Sequence, residues 1–208
     1  EYENNYEQVK EMGKIKYKLP MIDSYVIEVN EERLPYLQAK HELLSFELDT
    51  HITAQMNRVS EIIELKWAHE RNIMGEGIGV AVVDTGLCLH KDFTEGTNRI
   101  KGFYDLIHGR TEPYDDNGHG SHVAGIVGGN GYLSNGKYAG VAPKCNLIGV
   151  KVLDQKGDGN ISDVLAGLQW IIDNKQKYNI RIINISVGTT TKDNIDENSL
   201  LVKGVNAV

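Results

Sequence analysis

At 208 residues and 40% hydrophobic content, the chain is long enough to bury a core and to hold one full domain plus a smaller one. Its net charge of −7, with Lys and Arg dispersed rather than gathered into a stripe, excludes a nucleic-acid-binding footprint. No apolar run approaches the roughly 20 residues of a membrane-spanning helix, and Cys88 and Cys145 form neither a disulfide framework nor a zinc spacing, so both are expected as free thiols.

The pattern begins with a helix predicted over residues 2–12, then "KIKYKL" and "DSYVIEVN", which alternate like strands, a short helix "EERLPYLQA" after Asn30, and strand-like "LLSFELD". The order α-β-β-α-β is a small α+β unit of the ferredoxin-like βαββαβ type lacking its first strand. Pro35 predicts that the second helix starts late or irregularly, because proline removes a helical hydrogen bond. Polar "THITAQMNR", residues 50–58, reads as a linker. From residue 57 the rhythm changes to strands and helices in alternation. The helix "SEIIELKWAHERN" offers Ile62, Ile63, Leu65 and Trp67 for packing. There follow the strand "IGVAVVD", a helix starting at His119, the strand "NLIGVKVLD", the helix "ISDVLAGLQWIIDNKQKY" and the strand "IRIINISVG". Continuous apolar strands predict a parallel, doubly wound sheet covered on both faces. The chain starts without an initiator Met and stops within the helical pattern "LLVKGVNAV", so it is expected to be part of a longer protein, with its sheet incomplete at the C-terminus.

Asp84 ends the strand "GVAVVD", at the carboxyl edge where parallel sheets place their sites, although a strand-end Asp also caps turns. The "DTG" that it opens is also an aspartic-protease signature, but that chemistry needs two such carboxylates and only one is present. His119, within "DDNGHGSHVAG", lies at the amino end of a helix, whose partial positive charge favours a neutral imidazole, as a general base requires. The flanking Gly118 and Gly120 have no Cβ and allow another backbone or a substrate to come close. His119 and His122, three apart, suggest zinc, but the Glu of HExxH and a third ligand are missing, and His122 is better read as a buried, hydrogen-bonded neighbour. Nothing around Cys88 would lower a thiol pKa, so it reads as a bystander. "GEGIGV" precedes its strand instead of following it, which argues against a phosphate-binding loop.

The blocks "VAVVDTGLCLHKDF", "YDDNGHGSHVAGIVGG", "YAGVAPKCNLIGVKVLDQKGDGNISDVLAGLQWI" and "IINISVG" resemble, in order, those of the subtilisin-like serine proteases, and "PYDDNGHGSHVAG" with "NGYLSNGKYAGVAPK" resembles the AprX-like bacterial branch. "GKIKYKLPMIDSYVIEVNEERLPYLQAKHELLSFELD" is similar to the later part of a subtilase propeptide, a ferredoxin-like foldase and inhibitor. The resemblance implies a propeptide over residues 1–56, cut near Gln55, and the N-terminal part of a catalytic domain over 57–208. It implies serine endopeptidase chemistry with Asp84 orienting the imidazole and His119 as base. Ser186, Val187 and Gly188 would then line the primary specificity pocket, and Gly157, Asp158 and Gly159 would form an edge that pairs with the substrate backbone.

The family's serine stands in a "GTSMA"-like motif and its oxyanion donor in an "AAGN"-like one, and this chain contains neither; Ser121, Ser134, Ser162, Ser186 and Ser199 lack that context. The resemblance further implies protein or peptide substrates, the chain's own propeptide as intramolecular inhibitor, the remaining C-terminal part of the catalytic domain as partner, and no nucleic acid or membrane. No cofactor is required, though relatives bind structural calcium at positions matching Asp92 and the loop "GNGYLSNGKYAG". The AprX-like branch and the missing disulfides lean towards a cytoplasmic protein, with secretion as the alternative. A catalytically inactive binding or regulatory protein on the same fold is the rival reading, against which Asp84 and His119 stand in full motifs.

Overall fold

The computed structural model describes residues 6–38, 47–54, 65–189 and 199–208. The N-terminal unit comprises α1 (Tyr6–Met12), β1 (Lys14–Leu19), β2 (Ser24–Glu28) and α2 (Leu34–Gln38). β1 and β2 form an antiparallel pair from Lys14↔Glu28 to Leu19↔Ser24. Their connection is a short 3-10 turn that ends at Asp23 with φ 49°. The irregular helix start expected from Pro35 is present. A 3-10 turn, Glu31–Arg33, comes first, with the Asn30 side chain accepting the Glu32 N–H at 3.3 Å. Pro35 then falls in the first turn of α2, where its missing N–H costs nothing. The last strand of the ferredoxin-like reading falls partly on 43–46, outside the described residues, and 47–49 are not strand, so among the described residues this sheet has two strands.

The predicted linker is corrected in its first half. Residues His51–Ala54 form a strand, β3, paired antiparallel on both sides. His-Ile-Thr-Ala is too short for its alternation of polar and apolar residues to announce a strand; it is one because two distant edges supply the backbone partners. The Gln55 cleavage position lies outside the described residues, as do Ile62 and Ile63.

Next come α3 (Leu65–Glu70), β4 (Gly79–Asp84), α4 (Lys91–Thr94), β5 (Ile100–Asp105), α5 (His119–Gly128), β6 (Asn146–Lys151), β7 (Asp158–Asn160), α6 (Ile161–Asn174), β8 (Ile180–Ile185), β9 (Val187–Thr189) and α7 (Leu200–Asn206). Trp67, expected to pack, is exposed. A parallel sheet of order β5-β6-β4-β8 forms the centre, as expected, with β5 as an unforeseen edge strand. The "IRIINISVG" run breaks at Ser186 into β8 and β9, and Ile182 of β8 is exposed, so this strand is not covered on both faces.

Strand period two divides the central core. Ala81, Val83, Ile148 and Val150 pack with Val164, Leu168 and Ile171 of α6. Val80, Val82 and Leu147 pack on the opposite side with Val123 and Ala124 of α5. Asp84 continues the 80–82 parity, so its side chain emerges on the face that α5 covers. That parity makes a meeting with the first residue of α5 possible.

Candidate active site

β4 delivers Asp84 fully buried, and α5 starts at His119. His119 Nδ1 lies 2.7 Å from Asp84 Oδ1, which also accepts the Thr85 N–H at 2.7 Å. Burial pushes the Asp84 carboxyl above its ordinary value; the hydrogen bonds from the His119 ring and the Thr85 amide oppose that push. His119 Nε2 is buried and has no hydrogen-bond partner among the described residues, which leaves this ring nitrogen available for proton transfer while Nδ1 faces the carboxylate.

Two glycines set this geometry for different reasons, which refines the expectation that both admit a close neighbour. A Cβ on Gly120 would collide with the Gly86 carbonyl and come within 3.1 Å of Asp84 Cβ, so the first turn of α5 lies directly on the strand end. Among the described residues nothing would crowd a Cβ on Gly118, but its φ is 98°, a left-handed conformation that side chains resist.

A residue that the sequence reading passed over fixes the loop before His119. Asp115 Oδ1 accepts from Thr85 Oγ1 at 2.9 Å, Gly118 N–H at 2.9 Å and Asn117 N–H at 3.2 Å, and Oδ2 accepts from Ser121 N–H at 2.8 Å. Thr85 Oγ1 in turn accepts the Gly120 N–H at 2.9 Å. The signal available in the sequence was "DDNG", an Asx-rich turn immediately before a helix. Burial would raise the Asp115 carboxyl, but the hydrogen bonds from Gly118, Ser121 and Thr85 hold it below the ordinary carboxylate value. A pKa lower in the folded than in the unfolded state contributes stability above the unfolded value and loses it as pH falls through the folded one. Asp115→Asn is therefore expected to reduce the loss of unfolding free energy between about pH 6 and pH 3, where unfolded carboxylates titrate near 4. Denaturant titrations at the two pH values check this, and an unchanged loss would refute it.

The residues expected at the substrate edge and the specificity pocket lie on either side of β3. β3 lies between β7 and β9 in register Ile52↔Gly159 and Thr53↔Asp158 on one side, and Thr53↔Gly188 and Ala54↔Val187 on the other. Gly157, with φ 82°, makes the turn before β7, and a Cβ on Gly159 would strike the Val152 carbonyl. Ser186 lies between β8 and β9, its Oγ 2.8 Å from Asn184 Nδ2.

Other expectations fare differently. His122 is exposed, contrary to the buried reading, because it points off α5 into a cavity of about 740 Å3 lined also by Cys88, His90, Ser121, Ile126 and Tyr138. Neither Asp84 nor His119 lines that cavity. Among the described residues no group of three or more His, Cys, Asp or Glu side chains could hold a metal. At the expected calcium position, Asp92 Oδ1 accepts the Leu133 N–H at 3.0 Å and the Asp92 carbonyl accepts from the buried Arg99 guanidinium, so these groups do not present a calcium cage.

Residues 75–207 match the model of the subtilase family, Peptidase S8. Serine protease AprX of Bacillus subtilis is 38% identical over 87% of this chain and 42% of its own length. Minor extracellular protease Epr of the same organism is 38% identical over 65% of this chain and 19% of its own. Among solved structures, the Clostridium perfringens CspB protease is similar with a TM-score of 0.56 and 28% identity, covering 67% of this chain and 35% of that one. The chain thus spans less than half the length of these relatives.

Proposed function

The chain belongs to the subtilase family, and from that premise we propose that it supplies two members of the Asp-His-Ser triad of a serine endopeptidase, together with its propeptide. The observation that carries this is the 2.7 Å contact between the end of β4 and the start of α5, Asp84 to His119. His119 Nε2 takes the proton of a serine hydroxyl as it attacks the peptide carbonyl, and returns it to the leaving amine. Asp84 holds the ring in the tautomer that leaves Nε2 unprotonated and stabilises the imidazolium that forms. The serine and the oxyanion donor come from residues outside this chain, which contains no segment of the required type. The paired carboxylate and imidazole give the non-catalytic alternative no support. In the full-length protein, His119→Ala is expected to abolish measurable peptide hydrolysis and to leave the precursor uncut by mass spectrometry; processing that persists unchanged would rule out self-cleavage.

Residues 1–56 then act as the propeptide, with β3 occupying the edge where substrate adds as a strand. Three further contacts support this docking. Asp49 accepts from the Ser162 N–H at 2.9 Å and from its hydroxyl at the start of α6, and Glu47 accepts the Leu200 N–H at 3.3 Å at the start of α7. Met21 N–H donates to Gln169 Oε1 at 3.0 Å. Cleavage near Gln55 would fall directly after β3. The extracellular relative, by its name, favours secretion over the cytoplasmic reading.

Buried Asp163 joins the two units, accepting from Tyr17 Oη at 2.6 Å, Lys16 Nζ at 3.1 Å and Asn160 Nδ2 at 3.1 Å. Burial and the neighbouring carboxylate push the Tyr17 hydroxyl far above its ordinary pKa, so it stays a donor. Asp163→Ala leaves Tyr17 and Lys16 without that acceptor and is expected to weaken retention of the cut propeptide by about 10- to 100-fold, the scale of a charged hydrogen bond. A shorter lag before full activity of the full-length protein is the readout, and an unaltered lag would refute the assignment.

A further inference from the structure

Lys151 is the last residue of β6 and stands opposite Asp84 in the parallel β4–β6 pair. It shares the parity of Leu147, so it projects from the same face of the sheet as Asp84, and its side chain is fully buried. Nζ donates to the Thr85 carbonyl, to the Leu153 carbonyl at 2.8 Å and to Asp116 Oδ1 at 2.7 Å, and lies 5.2 Å from the centre of the Tyr114 ring. Three acceptors use three N–H donors, which only the ammonium form has.

The acceptors belong to three different segments. Thr85 directly follows Asp84. Asp116 lies in the loop that leads to His119. Leu153 lies in the stretch between β6 and β7, where the Val152 and Leu153 N–H groups also converge on the Asp84 carbonyl, at 2.9 and 3.3 Å. That loop is held from the other side as well, since the Leu87 N–H donates to the Tyr114 carbonyl at 3.0 Å and Asp105 Oδ2 accepts from Tyr114 Oη at 2.8 Å. A buried ion pair is weak evidence for stability, because an apolar pair of similar size is often as stable or more so. The distribution of its acceptors points elsewhere.

We infer that Lys151 is a positioning residue of the active site, whose ammonium group locks the Asp84 strand end, the His119 loop and the approach to the β7 substrate edge into one geometry. The inference rests on Asp84 and His119 being the catalytic pair. A lysine that only neutralised Asp116 would be dispensable once Asp116 was neutral too, and this separates the two roles.

The test compares full-length protein with Lys151→Met and with the double variant Lys151→Met/Asp116→Asn. Lys151→Met leaves the Asp116 charge without its partner and is expected to lower both the thermal midpoint and kcat. The double variant removes both charges and is expected to regain part of the lost midpoint, the buried Thr85 and Leu153 carbonyls still lacking their donor. Its kcat should stay about 10- to 100-fold down, the scale of a sub-ångström to 1 Å misplacement, with KM within about twofold. A second readout needs no turnover: the low-field NMR proton on His119 Nδ1, assigned by its absence in His119→Ala, should be sharp in the parent and broadened or lost in the double variant. Parental kcat in Lys151→Met, or a double variant that regains kcat and the sharp proton along with part of its midpoint, would overturn the inference. A parent that shows the proton but hydrolyses nothing would instead refute the protease reading, and the resonance alone would then decide the role of Lys151.

Discussion

Replacing Asp84 with Asn in the full-length protein is expected to lower kcat by about 10^4-fold while leaving the thermal midpoint unchanged or higher. The two outcomes separate because, on the proposed function, the carboxylate serves catalysis, whereas its burial is unfavourable to folding. Its Oδ1 accepts from His119 Nδ1 at 2.7 Å, which fixes the proton on Nδ1 and leaves Nε2 free to act as base. An amide of the same shape either keeps the oxygen without the charge that stabilises an imidazolium, or turns its NH2 towards Nδ1 and forces the proton onto Nε2. Burial meanwhile raises the Asp84 pKa, so the ionised form is disfavoured by folding, and the stability cost of holding it ionised grows as pH rises above the unfolded value. A neutral isostere escapes that cost at neutral pH. Peptide hydrolysis and thermal unfolding measured on the same preparation check both halves. An Asn variant with parental kcat would remove Asp84 from the mechanism, and a large fall in midpoint would make its role structural.

Gly120→Ala is expected to cause the larger structural loss, about 2 kcal/mol or more of stability, together with most of the activity. The new methyl group would meet the Gly86 carbonyl, with the Gly86 nitrogen at 3.0 Å and Asp84 Cβ at 3.1 Å, and two of these three atoms are backbone that cannot turn aside. α5 would have to lift from the strand end, taking His119 away from Asp84. Gly125→Ala supplies the contrast. Among the described residues a Cβ there meets nothing within 4 Å, so the ordinary helix preference of Ala over Gly should stabilise by about 0.5–1 kcal/mol. Denaturant unfolding of both variants tests the pair; similar behaviour of the two would show that helix propensity, not contact with Gly86, governs this helix.

Much of the site was legible because its signals are local. "VAVVD" is an apolar run whose period of two already assigns Asp84 to the same face as Val80 and Val82. "DNGHG" combines turn formers with glycines on either side of a histidine at a helix start, and both glycines prove necessary, one for its backbone angle and one for its missing Cβ. Those features survive in a sequence because a few adjacent residues determine them.

The remainder depended on partners far along the chain. His51–Ala54 has the composition of a linker and becomes a strand only because β7 and β9 each present a free edge to it. A residue's burial is likewise settled by what packs over it. Trp67 and His122, both plausible interior residues, face outward, whereas Lys151, the residue type least expected inside, is fully buried. The sequence by itself determined which groups could perform the chemistry and which face of the sheet they occupy, through short-range periodicity and turn geometry. Only the tertiary structure decided what surrounds them: the strand lying between β7 and β9, and the ammonium group satisfied by acceptors from three separate segments, since such satisfaction exists only once those segments meet.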